Sequence, residues 1–207
     1  MYSSRPNLYL GFHGCDESVR NNLVNNPDIV KKSQEAFDWL GNGFYVWENN
    51  HERALTWAQD KHARGKIDVP SVVGVIYQLD YCLDFTDSEY TRLLSNYYDL
   101  LKRDFLLAGK KLPENKDLPK DNFRDKILRE LDCAVIEYFH QKIEEQIIKD
   151  EANKKFSELK PFDTTRGIFT EGGSAFEGAG IQLKNHIQIC IRNLNCIKGF
   201  FIPRNKI

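Results

Sequence analysis

Phe12-His13-Gly14-Cys15-Asp16 closes a short apolar run near the start of the chain. An imidazole followed by glycine leaves backbone N–H and C=O groups open to a ligand amide, while the ring can hydrogen-bond a hydroxyl. Further on, Leu40-Gly41-Asn42-Gly43-Phe44-Tyr45-Val46-Trp47 lets the chain turn sharply into a strand, from which Tyr45 can offer a flat ring to a planar ligand. A third group lies near the end, in His186-Ile187-Gln188-Ile189-Cys190-Ile191-Arg192. Alternation there places His186, Gln188, Cys190 and Arg192 on one face and the three isoleucines on the other, toward a core. Glu171 and Glu177 precede this strand in a glycine-rich stretch and could bring a carboxylate to the same place. Each short motif also has a plain structural reading: a surface histidine with a turn glycine, or a glycine turn before a core strand.

These residues need a frame. Leu8–Phe12, Phe44–Trp47, Val72–Leu79, Gly167–Thr170, Ile187–Arg192 and Cys196–Ile202 read as strands, rich in β-branched and aromatic residues. Asn193-Leu194-Asn195 is expected to join the last two as a tight hairpin. Asn49 or Asn50 is a suitable cap for a helix over His51–Arg64, where Ala54, Trp57 and Ala58 fall on one face. Val19–Val30 is weakly helical, and Ser33–Leu40 is a short helix or turn. From Asp84 to Lys160 the character changes: Ser88–Leu107 reads as helix, Gly109–Pro119 as loop, and about Asp121–Lys149 as a long helix with the stripe Ile127, Leu131, Val135, Tyr138, Phe139, Ile143 and Ile147. The order β/α, helical block, β predicts a single α+β domain over 1–207 with a helical insertion at 84–160.

The chain has 207 residues, with 41% hydrophobic, 12% aromatic and 29% charged residues and a net charge of −1. That composition supports a sizeable core and excludes a disordered charged tail. It also removes the simplest argument for nucleic-acid binding, a strongly basic domain. Cys15, Cys82, Cys133, Cys190 and Cys196 are odd in number, and none has CxxC spacing, which fits reduced thiols. No secretory signal or membrane-spanning run is visible, so a cytoplasmic location is expected. No P-loop, dinucleotide GxGxxG, HExxH or GxSxG motif occurs. No spacing offers a metal site. His51, His62 and His140 occupy charged helical sequence and are expected to be exposed.

The order of His-Gly after a strand, L-G-x-G-F-Y, and a helix with A-x-x-W-A resembles bacterial ADP-ribosyltransferase-like domains. These share the fold of diphtheria toxin and the poly(ADP-ribose) polymerases, with a His, Tyr and variable third-residue signature. The tail, F-D-T-T-R-G-I-F-T-E-G through H-I-Q-I-C-I-R-N and C-I-K-G-F-F-I-P-R, looks like that of uncharacterised bacterial proteins with the same head. The resemblance implies a split β-sheet core and use of NAD⁺ as substrate. By it, His13 would bind the nicotinamide ribose, Gly14 would clamp the carboxamide and Tyr45 would stack on the ring. Gln188 would take the third position, with His186 second in line; the usual Glu is absent. Arg166 and Arg192 could hold the pyrophosphate through bidentate contacts.

Cleaving the nicotinamide–ribose bond develops positive charge on the ribose, which a carboxylate would stabilise. Gln can only orient a hydroxyl, so such a site would be slow unless Glu171, Glu177 or the acceptor supplies a base. It would also favour transfer of a single unit. The implied activity is mono-ADP-ribosylation of a protein or nucleic acid, in a toxin or defence effector with a potential antitoxin or immunity partner. The rivals are an NAD⁺ glycohydrolase, an RNA 2′-phosphotransferase on the same fold, and an inactive NAD- or ADP-ribose-binding module.

Overall fold

The computed structural model describes residues 7–119 and 122–204. Its strands are β1 (Tyr9–Asp16), β2 (Phe44–Glu48), β3 (Pro70–Tyr77), β4 (Cys82–Asp84), β5 (Asn115–Lys116), β6 (Leu128–Arg129), β7 (Thr164–Phe169), β8 (His186–Ile191) and β9 (Ile197–Phe201). The α-helices are α1 (Glu17–Asn25), α2 (His51–Ala63), α3 (Ser88–Leu107) and α4 (Glu130–Lys154). Seven strands form one sheet in the order β4-β7-β8-β2-β1-β3-β9, and β5 and β6 form a small separate ribbon. Pairing in the large sheet is antiparallel except between β4 and β7. The architecture is therefore mixed α+β with a mostly antiparallel sheet.

Each face of the sheet carries its own core. Phe44, Val46, Val73, Val75, Tyr77, Ile189 and Ile191 project to one face, where Leu23 of α1 packs on them. Phe12, Trp47 and Val72 project to the other, where α2 brings Ala54, Leu55 and Trp57. Helix α2 starts where Asn50 accepts the Arg53 N–H, and it gives way to Gly65 at φ +69°. It lies close to β1 because both partners are small. A Cβ on Gly14 would overlap the main-chain oxygen of Ala54, and the helix presents only Ala54 and Ala58, both fully buried, at the contact.

The helical block packs on a third, smaller core of Leu83, Phe139 and Phe162, with Tyr90, Leu93, Leu94 and Tyr97 from α3. Here three expectations change. Helix α4 begins at Glu130 rather than near Asp121, a residue outside those described. Arg124 and Lys126 have positive φ, which a helix cannot accommodate, and the N-terminal cap comes from Asn115, whose Oδ1 accepts the Leu131 and Asp132 N–H groups. His140, expected to be exposed, is 4% exposed, because Phe139 and Phe162 pack around it. The hairpin at Asn193-Leu194-Asn195 does not form. Leu194–Cys196 is a 3₁₀ turn that carries the chain to the far edge, where β9 pairs with β3 instead of β8.

Candidate functional site

Strands β1 and β2 are neighbours, yet their ladder stops early. It runs over Gly11↔Glu48 and Phe12↔Trp47. Strand β1 continues along β3 as far as Asp16↔Pro70, and β2 continues along β8 as far as Phe44↔Ile191. Within the one seven-stranded sheet β1 and β2 thus part beyond Phe12 and Trp47, and His13-Gly14 and Phe44-Tyr45 line the two lips of this local split.

The imidazole of His13 bridges this split. Its Nδ1–H donates to the main-chain oxygen of Tyr45 at 2.8 Å, which fixes the tautomer and leaves Nε2 as an acceptor. The ring lies 4.6 Å from Phe44 and 6.4 Å from Trp57, centroid to centroid. Its register partner Val73 puts His13 on the Phe44 face, and at the split the imidazole comes near Trp57, which packs on the other face. Burial pulls its pKa down to about 4, and Lys61 nearby adds to the shift, so the ring is neutral near pH 7.

The phenol of Tyr45 is fixed from its own turn. Its hydroxyl donates to Gly41 O at 2.8 Å and accepts the Leu40 N–H at 2.9 Å. Gly41 reaches φ +84°, and a Cβ on Gly43 would lie 2.7 Å from Ile191 O, so both glycines are required by this turn. Glu137 of α4 holds the turn from outside: its carboxylate accepts the Asn42 N–H at 2.7 Å and the Asn42 Nδ2–H at 2.9 Å, and pairs with Arg192. Register places Tyr45 opposite Cys190 and Trp47 opposite Gln188, so Tyr45, Trp47 and Gln188 share one face. The imidazole of His13 therefore meets Tyr45 through its backbone, whereas the phenol ring lies on the face of Gln188.

The remaining predicted residues separate. Gln188 Oε1 accepts the Trp39 Nε1–H at 2.5 Å. His186 is buried beside Trp47, stacked on Phe169 at 5.4 Å, with Nδ1–H donating to Lys184 O. Glu171, 6% exposed, lies next to it and forms a salt bridge with Arg53. Glu177 is exposed in the segment between β7 and β8 and joins none of these groups. Arg166 requires correction. It is the register partner of Ile189, hence on the opposite face from Tyr45, and its guanidinium is paired with Glu48 at 2.8 Å and Asp84 at 3.0 Å. It is not placed to hold a pyrophosphate on the Tyr45 face. Arg192 is engaged by Glu137 and Asn42 O, where it supports the turn.

Sequence reading passed over four neighbours. Trp57, half-buried, sets an indole beside His13, with the Lys61 ammonium 4.1 Å from its ring centroid. Trp39 caps Gln188, and Arg129 lies 3.7 Å from the Phe169 ring centroid and 5.1 Å from that of Trp39. The A-x-x-W-A spacing marks Trp57 only as part of an apolar helix face. No such signal marks Arg129, which arrives from the helical block. Among the described residues no group of three or more His, Cys, Asp or Glu side chains could hold a metal ion, and no helix is long and apolar enough to cross a membrane. Comparison with family models, curated proteins and solved structures found no match to this chain.

Proposed function

We propose that the chain is an ADP-ribosyltransferase-like protein that takes NAD⁺ into the split between β1 and β2 and transfers one ADP-ribose to a protein or nucleic-acid acceptor. The observation that carries this reading is the split itself. It leaves a neutral His13 with Nε2 free to accept from a ribose hydroxyl, an indole at Trp57 beside it, and Tyr45 on the opposite lip. A nicotinamide ring needs flat apolar walls and a few fixed polar groups, which is what these residues supply. A bacterial toxin or defence effector, opposed by an antitoxin or immunity protein, is the biological setting that accompanies the resemblance.

A second reading has its own support. Gln188 is neutral and its amide oxygen is occupied by Trp39, while Glu171 is neutralised by Arg53. Neither of these two positions then offers a free carboxylate to a ribosyl cation, which favours a module that binds NAD⁺ or ADP-ribose without turnover. Incubation with NAD⁺ labelled in its adenylate moiety separates the two. Labelled protein or nucleic acid supports transfer, and free nicotinamide with no labelled acceptor supports a glycohydrolase. Saturable binding without either supports the module, and movement of a 2′-phosphate from RNA onto the labelled ADP-ribose moiety, with nicotinamide leaving, supports the phosphotransferase. His13→Ala and Tyr45→Ala each remove the binding or turnover observed; if both variants behave as the parent, the site is elsewhere.

A further inference from the structure

Three buried polar atoms without hydrogen-bond partners belong to neighbouring side chains, Trp47 packing against the other two: Nε1 of Trp47, Nη1 of Arg53 and Nε2 of His186. The Trp47 and His186 rings are 6.2 Å apart, and the Arg53 guanidinium carbon is 5.8 Å from the Trp47 ring centroid. Trp47 is 3% exposed, and the side chains of His186 and Arg53 are 2% and 14% exposed. A buried polar group left unpaired is costly, so a cluster of them marks a place where something polar belongs.

Donor and acceptor types say what that is. The indole and guanidinium nitrogens are donors only. His186 uses Nδ1–H toward Lys184 O, so its Nε2 is an acceptor. One oxygen that accepts twice and donates once would satisfy all three. A hydroxyl does this; a carboxylate or phosphate oxygen would have nothing to donate to His186. Glu171 already neutralises Arg53, which further disfavours an anion. The cluster adjoins the candidate site, since Trp47 is the register partner of Gln188 and follows Tyr45 by two residues on the same face. The neck of the β7–β8 segment, where the Lys184 N–H donates to Glu171 O, is next to it in the chain, since His186 bonds Lys184 O and Glu171 pairs with Arg53.

We propose that Trp47, Arg53 and His186 form a subsite for one sugar hydroxyl of the ligand bound over Tyr45 and Gln188; the identity of that ligand rests on the nucleotide reading above. The subsite holds a water in the free protein, which the hydroxyl replaces. Crystals of the free protein should show an ordered oxygen bridging the three nitrogens. If the side chains close on one another with no oxygen between them, the subsite is refuted. Calorimetric titration with NAD⁺ and with its 2′-deoxy and 3′-deoxy forms at each ribose follows. One deoxy form should bind roughly 10- to 100-fold more weakly than NAD⁺, as for a lost hydrogen bond to buried groups. Trp47→Phe should shrink that difference at least fivefold. Equal binding of NAD⁺ and every deoxy form, with the water still in place, overturns the proposal. If no dinucleotide binds, the nucleotide reading fails, and the subsite is judged on a soak with free ribose. A ribose hydroxyl in place of the water supports it, and retention of the water at saturating ribose rejects it.

Discussion

Gly14 and Ala54 are in direct contact, because a side chain as small as a methyl on Gly14 would overlap the Ala54 main-chain oxygen. This contact ties the lip of the split to α2, and α2 is the helix that carries Trp57 and Lys61 to His13. Gly14→Ala must push the helix away from β1. It should cost about 2 kcal/mol, the usual scale for overpacking. Gly199→Ala is the control, since nothing lies within 4 Å of a Cβ there, and it should be neutral or slightly stabilising. Urea unfolding of both variants checks the contrast; equal midpoints would contradict a tight Gly14–Ala54 contact.

The helical block reaches the Tyr45 turn through one carboxylate. Glu137 accepts two hydrogen bonds from Asn42 and pairs with Arg192, whose side chain is 15% exposed. Glu137→Ala leaves the Asn42 main-chain N–H without its acceptor and the Arg192 guanidinium with Asn42 O alone. Partial exposure moderates the cost to about 2 kcal/mol. The same variant should weaken NAD⁺ binding, because the turn that sets the Tyr45 ring is loosened. Leu106→Ala, at an exposed position in the same block, should change neither.

Three histidines make stability depend on pH. Burial pulls His13 and His186 down to about 4 and His140 to about 3, against an ordinary value of 6.5. The unfolded chain takes up protons near pH 6.5 that the folded chain refuses until about pH 4. Stability is therefore full above about pH 6.5 and declines as the pH falls toward 4, at up to about 1.4 kcal/mol per pH unit for each histidine. His140→Leu removes one of the three without adding a charge. Its urea midpoint should fall less steeply than that of the parent between pH 7 and pH 5, and parallel curves would contradict the assignment.

Patterns set by neighbours in the chain were legible in the sequence. Ser88–Leu107 was readable as helix from its own residues, and α2 from Asn50, its apolar face and Gly65. The alternation of His186–Arg192 correctly put Ile189 and Ile191 in the core and Gln188 on the other face. Features made by distant partners were hidden. The cap of α4 comes from Asn115, His140 is buried by Phe162, and β9 crosses the sheet to β3. The site divides in the same way. The approach of His13 to Tyr45 follows from two adjacent strands, whereas the engagement of Arg166 by Glu48 and Asp84 depends on register, and the Trp39 bond to Gln188 spans 149 residues.

Gln188 provides the sharpest test of what the site can catalyse. Its Oε1 accepts from Trp39 Nε1–H at 2.5 Å, and a carboxylate oxygen of the same shape would accept that hydrogen bond equally well. Gln188→Glu should therefore fold as the parent does, with one new negative charge on the face shared with Tyr45. If the split binds NAD⁺, that charge lies where a ribosyl cation would develop, and preorganised charge in such a place is worth roughly 100-fold in rate. The expected outcome is a rise in nicotinamide release with little change in NAD⁺ affinity. His13→Ala in the same background should abolish the gain. An unchanged rate in a variant that still binds NAD⁺ would place the reacting ribose away from β8, and would leave Glu171 beside Arg53 as a carboxylate to examine next.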